Sequence, residues 1–171
     1  RQAEIEKRIG VVPYDDLLEV HTAWDLGIDD SMSIWFYQVH GGWVRLIDYM
    51  EGTGEGIPYY IKELRKKPYI YGEHNAPHDI KVRELGTGKS RYEVARGLGI
   101  TFRIGKNLPI ADGIDAARSL LRRCWFDQGR CARGIDALRS YHKEWDDFNK
   151  TYQNRPKHNW ASHGADAFRT L

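Results

Sequence analysis

Residues 17–51 read LLEVHTAWDLGIDDSMSIWFYQVHGGWVRLIDYME, and the fold turns on this stretch. LLEVHTAWD is rich in apolar and β-branched residues and runs into the turn-forming segment Gly27 to Ser31, which is the pattern of a strand and its exit. SIWFYQVH (33–40) and WVRLIDYME (43–51) flank Gly41-Gly42. Two apolar runs joined by Gly-Gly predict an antiparallel hairpin, because glycine reaches the positive φ values that tight hairpin turns need. Three consecutive strands therefore open the domain.

Working outward, residues 1–12 predict a short polar helical lead-in, stopped by Pro13. On the other side, Gly52, Gly54 and Gly56 end the third strand. Ile57, Tyr60, Ile61 and Leu64 then recur at helical spacing, predicting a helix that closes near Lys67-Pro68. YIYGEH (69–74) reads as a fourth strand, closed by a turn at Asn75-Ala76-Pro77. A helix around Ser90 to Leu98 and a strand at ITFRI (100–104) follow. Pro109 suits the first turn of a helix reaching about Arg123. A longer helix is expected from about Arg133 to Asn149, ended by Arg155-Pro156, and Ser162 can cap a short closing helix. The order β-β-β-α-β-α-β-α-α-α predicts an α/β fold, a mixed five-stranded sheet flanked by helices. The fourth and fifth strands, reached by helical crossovers, should run parallel to a neighbour. No internal repeat or linker follows residue 12, so 1–171 reads as a single domain.

Composition narrows the class. The chain is 41% hydrophobic and 29% charged, as globular domains are and disordered chains are not. No apolar run approaches the roughly 18–20 residues of a membrane span, and no signal peptide opens the chain. The first residue is Arg1 rather than Met, so an excised piece with a missing neighbour domain is expected. Cys124 and Cys131 make neither a disulfide framework nor a common zinc spacing, and are expected as reduced thiols on or near a helix. The net charge of +2 is unevenly spread. Lys81, Arg83, Lys89, Arg91, Arg96, Arg103 and Lys106 face only Glu84 and Glu93, and six Arg between 118 and 139 face Asp127 and Asp136. Such clusters fit a phosphate-backbone partner or a solvated basic face.

Asp25 ends the first strand and Asp79 follows the end of the fourth. In α/β sheets the carboxyl edge is where ligands gather, so the two carboxylates would meet if those strands are neighbours. Asp166 lies in the closing helix, with His163 three residues earlier on the same face. Three converging carboxylates repel unless a cation compensates them, and oxygen ligands suit Mg²⁺ or Mn²⁺. Two such ions about 4 Å apart can activate a water and stabilise the leaving oxygen of a phosphodiester. Each Asp alone reads first as a turn or helix-cap residue.

WDLGIDDSMSIWFYQ (24–38), PHDI (77–80), TGKSR (87–91) and WASHGADAFR (160–169) resemble the nuclease domain of the large terminase subunit of tailed bacteriophages, the DNA-packaging motor. The resemblance spans roughly Leu17 to Arg169. It implies a ribonuclease H-like fold and a metal-dependent endonuclease that cuts concatemeric double-stranded viral DNA with weak sequence preference. The family's three acids fall on Asp25, Asp79 and Asp166, which would hold two divalent ions, Mg or Mn. Asp29 or Asp30, His78 and His163 stand beside them as auxiliary residues, and Lys81, Arg83, Lys89 and Arg91 would guide DNA. Lys89 and Arg91 could instead cap a loop. The resemblance further implies an ATPase domain ahead of this chain, with 1–12 as the lead-in from it. It also implies a portal and a small terminase subunit as partners, and host cytoplasm as the location, transiently at the procapsid portal. ELGTGKSR lacks the first glycine of a nucleotide-binding loop, since Arg83 stands there.

Two other readings compete: a non-catalytic DNA-binding or portal-docking module, and a resolvase- or transposase-type nuclease of the same fold. Trp35, Tyr37, Trp43 and Tyr49 could stack on bases, but period-two aromatics in strands read first as packing. Trp160 reads as an anchor for the closing helix.

Overall fold

A computed structural model describes residues 7–27, 31–105 and 110–140. The strands are β1 (Ile9–Gly10), β2 (Val20–Leu26), β3 (Met32–His40), β4 (Trp43–Gly52), β5 (Tyr71–Ala76), β6 (Phe102–Ile104) and β7 (Cys124–Asp127). The helices are α1 (Ile57–Lys66), α2 (Arg91–Gly97), α3 (Ile110–Leu121) and α4 (132–140). The strands form one mixed sheet in the order β1-β7-β4-β3-β2-β5-β6. β2, β3 and β4 are the antiparallel meander read from residues 17–51, turned by Gly41 (φ 56) and Gly42 (φ 79). β5 runs parallel to β2 and β6 parallel to β5, as expected of strands reached by crossovers.

The expected five strands become seven. Cys124, placed on or near a helix by its sequence, lies in β7, which pairs parallel to β4 in the register Val44↔Cys124. Ile9 and Gly10, expected within a helical lead-in, pair parallel to β7. Arg8 supports this edge by donating to the carbonyls of Cys124 and Leu121, both at 2.9 Å. Asn75 and Ala76 also extend β5 instead of turning out of it. Segments of two and four residues are too short to show a period, so long-range pairing decides them.

β3 is buried on both faces from Met32 to Gln38 because it lies at the middle of the sheet. Its side chains alternate between two cores. Ile34 and Phe36 join Trp24, Phe102 and the α1 residues Ile57, Tyr60, Ile61 and Leu64. Trp35 and Tyr37 join Ala23, Leu46, Tyr49, Phe126, Cys131 and Ile135, under α3 and α4. Gly134 of α4 sits so close that a Cβ there would lie 2.4 Å from the Trp35 ring. Trp35, Tyr37 and Tyr49 are therefore core residues. Trp43 is half exposed and meets Trp125 edge-on at 6.1 Å between ring centroids.

Candidate functional site

β2 and β5 are adjacent and parallel, with Ala23 opposite Asn75. Two residues further on, Asp25 is level with Pro77, where a 3-10 turn (His78–Lys81) carries Asp79 away from the strand. Asp25 and Asp79 thus come to one edge of the sheet, the outcome that depended on their strands being neighbours. Buried Ile80 pins the turn while His78 and Asp79 stay exposed. Asp29, Asp30, Trp160, His163 and Asp166 lie outside the described residues. Among the described residues, no three His, Cys, Asp or Glu side chains gather into a metal-binding group.

A further carboxylate joins this edge that sequence reasoning missed. Asp25 pairs with Ser33, and Ser33 with Glu51, so the three residues form one row across β2, β3 and β4. Directly paired residues share a face, and two strand spacings separate the Asp25 and Glu51 backbones by about 10 Å. Glu51 is mostly buried and pairs with Arg133 at the start of α4. Tyr49 records these charges: burial pushes its phenol above the ordinary range, and the carboxylates of Glu51 and Asp25 add to the rise while Arg133 opposes it. Only the strand register, which includes a bulge between Phe36 and Tyr37, puts Glu51 in this row.

Behind the acids the same strands are knitted by neutral polar groups. The Trp24 indole donates to Thr22 Oγ1 (2.7 Å), and the same hydroxyl shares a hydrogen bond with His74 Nδ1 (2.6 Å). Burial, aided by His21, lowers the His74 pKa to about 4, so this imidazole stays neutral. Asn75 donates to the Thr22 carbonyl (3.1 Å) and to the Tyr37 hydroxyl (2.8 Å). Burial foremost raises the Tyr37 phenol to about 12. The strand ends that carry Asp25 and Asp79 are thereby joined through β2, β3 and β5.

The basic residues divide. Lys81, Arg83 and Lys89 are exposed, Lys81 lying 5.4 Å from the Tyr92 ring centre. Arg91 is turned inward: it donates to the carbonyls of Leu26 (3.1 Å) and Gly27 (3.4 Å) and pairs with Glu84 (3.3 Å). The loop 83–90 closes on itself through an Arg83–Ser90 bridge. The amides of Glu84, Gly88 and Lys89 bond within it, to Lys89 O, Glu84 O and Thr87 Oγ1. Amides spent in this way do not form the open cradle that a nucleotide phosphate needs.

This architecture matches solved phage proteins. The P22 large terminase nuclease domain superposes with a TM-score of 0.67 over 96% of this chain and 86% of that domain, at 15% identity. The chain has the fold of large terminase nuclease domains. The nuclease domain of the bacteriophage SPP1 large terminase with bound Mn gives 0.60 over 99% of this chain and 89% of that one, at 15% identity. The large terminase of the thermophilic bacteriophage D6E in complex with ADP gives 0.71 at 16% identity, with 95% of this chain aligned. The chain spans 40% of the length of that D6E protein. The shared fold is ribonuclease H-like, here with seven strands in the sheet. No family model matches the sequence, and no curated protein matches it.

Proposed function

We propose that the chain is a metal-dependent endonuclease that hydrolyses double-stranded DNA during viral genome packaging. The observation that carries this reading is the β2–β5 register, which brings Asp25 and Asp79 to one sheet edge in a fold shared with terminase nucleases. Hard oxygen donors at that edge fit Mg²⁺ or Mn²⁺, and the SPP1 domain of the same fold holds Mn. Asp25, Asp79 and Asp166 would be the ligands for two ions, with Asp30, His78 and His163 as auxiliary groups. Bound there, divalent ions would lower the pKa of a water and stabilise charge on the scissile phosphate.

The protein's own part is positioning. The neutral Thr22–His74–Asn75 network holds both strand ends at a fixed spacing. Lys81, Arg83 and Lys89 sit exposed beside Asp79 in sequence and meet the DNA backbone, so cutting carries little sequence preference. The wider setting of this reading is a longer terminase with an ATPase domain, working with a portal and a small subunit in the host cytoplasm. The domain assignment, 1–171 as one nuclease unit with 1–12 leading in, belongs to the same proposal.

Supercoiled plasmid with Mn²⁺ tests it, comparing the native chain with Asp25→Asn. Metal-dependent nicking and linearisation, lost in Asp25→Asn, is the expected result. Equal activity of both proteins refutes the assignment of Asp25. DNA binding without cleavage by either points to a docking module instead.

A further inference from the structure

Arg91 occupies the first position of α2, directly after the Ser90 cap that accepts from the Glu93 amide. A cation in the first turn of a helix opposes the helix dipole, so its placement needs compensation from elsewhere. The compensation is specific. The guanidinium fork reaches 65 residues back along the chain to the Leu26 carbonyl, and more weakly to that of Gly27. These carbonyls follow Asp25 directly, where the Gly27 N–H donates to Ser31 O at 2.7 Å. Only Arg presents several donors in one rigid plane, so it can hold two carbonyls and a carboxylate together.

The third acceptor, Glu84, belongs to the loop 83–90, whose outer residues Leu85 to Lys89 are all exposed. One side chain thus joins the exposed basic loop to the end of the strand that bears the first acid. A residue whose only task was to meet a phosphate would project outward, as Lys89 does. Arg91 is less than a quarter exposed and spends its donors on the protein.

We propose that Arg91 is a positioning residue: it fixes the end of β2 beside Asp25 and couples that end, through Glu84, to the loop that meets the DNA backbone. The inference rests on the nuclease reading. It removes Arg91 from the residues that touch phosphate and gives it the role of an outer support for a metal ligand. Loss of such supports costs about ten- to a hundredfold in metal affinity or activity.

Two readouts on the same proteins test it. The first is the melting temperature gained from Mn²⁺ alone, without DNA, since a ligand bound by the folded state must stabilise it. The second is plasmid cleavage, resolved into kcat, KM and the Mn²⁺ concentration for half-maximal rate. Arg91→Gln should need about tenfold more Mn²⁺ in both readouts and lose kcat with KM little changed. Lys89→Gln should weaken DNA binding and leave the Mn²⁺-induced stabilisation as in the native chain. Arg91→Lys keeps the charge but not the fork, and should fall between native and Arg91→Gln. If Arg91→Gln is unfolded in chelator, Arg91→Lys and Glu84→Gln decide the matter by the same Mn²⁺ titration.

Native Mn²⁺ dependence in these variants, with DNA affinity reduced, makes Arg91 a phosphate ligand and overturns the inference. Should the native chain itself show neither Mn²⁺ stabilisation nor cleavage, the nuclease reading falls, and this inference with it.

Discussion

The carboxyl end of the β2–β5 pair and its middle are built from the same two strands and share almost no chemistry. The end is charged and partly open, with Asp25 half-buried, Asp79 exposed and Arg91 bridging to the adjacent loop. The middle is dry and neutral, where Thr22, His74 and Asn75 satisfy one another within an aromatic core. Every polar group named in the middle has its partner within the sheet. On the proposed reading, binding and chemistry belong to the end, and the rigidity that holds it belongs to the middle. Substitutions at the two places should therefore fail in different ways.

The largest effect is expected at the end. Asp79→Asn should lower Mn²⁺-dependent cleavage by roughly a thousandfold, ~4 kcal/mol of transition-state stabilisation. Its melting temperature in chelator should stay close to native, because exposed substitutions change stability by only about 0.5 kcal/mol. A variant that lost stability and activity in proportion would break the contrast. Next comes the core that backs the sheet. Trp35 is fully buried between Tyr49 (4.7 Å), Phe126 (5.8 Å) and Gly134. Trp35→Ala should cost about 3–5 kcal/mol in denaturant unfolding, while the residual folded protein still binds Mn²⁺.

The smallest effect sharpens the contrast by pH. His74 has a folded pKa near 4, below the ordinary 6.5. Between those values the unfolded chain binds a proton that the folded one refuses, so stability rises with pH across this window. His74's contribution is complete above 6.5 and is lost as pH falls through the window, by ~3 kcal/mol at most. Melting curves at pH 7 and pH 4.5 should diverge less for His74→Gln than for the native chain. Equal divergence would mean that His74 is hydrated and that the middle is not dry.

How much of this was legible depends on the distance over which a feature is decided. The three-stranded meander could be read because β-branched runs and Gly41-Gly42 act within a few residues. The helical crossover before β5 told that it runs parallel to a neighbour, but that this neighbour is β2, which gives Asp25 and Asp79 one edge, is seen only in the strand pairing. Asn75, a poor strand former, read as a turn. Its place in β5 depends on hydrogen bonds to Thr22 and Tyr37, 53 and 38 residues away. Glu51 entered the acidic row only through a register shifted by a bulge. The inward turn of Arg91 could not be seen either, since nothing local to TGKSR names the carbonyls of Leu26 and Gly27 as its acceptors.

The sheet order also says something about time. β1 is the first of the described strands along the chain, yet its only sheet neighbour among the described residues is β7, the last of them. Its bonds, Phe126 N–H to Arg8 O at 2.9 Å and Gln128 N–H to Gly10 O at 2.7 Å, close loops of more than a hundred residues. The hairpin of β3 and β4 closes across two glycines, and loop-closure entropy favours that contact over the distant one. In pulsed hydrogen exchange during refolding, the amides of Phe126 and Gln128 should become protected after those of the β3–β4 ladder. Among the described strands, the one that leaves the ribosome first is thus the one that waits longest for its place.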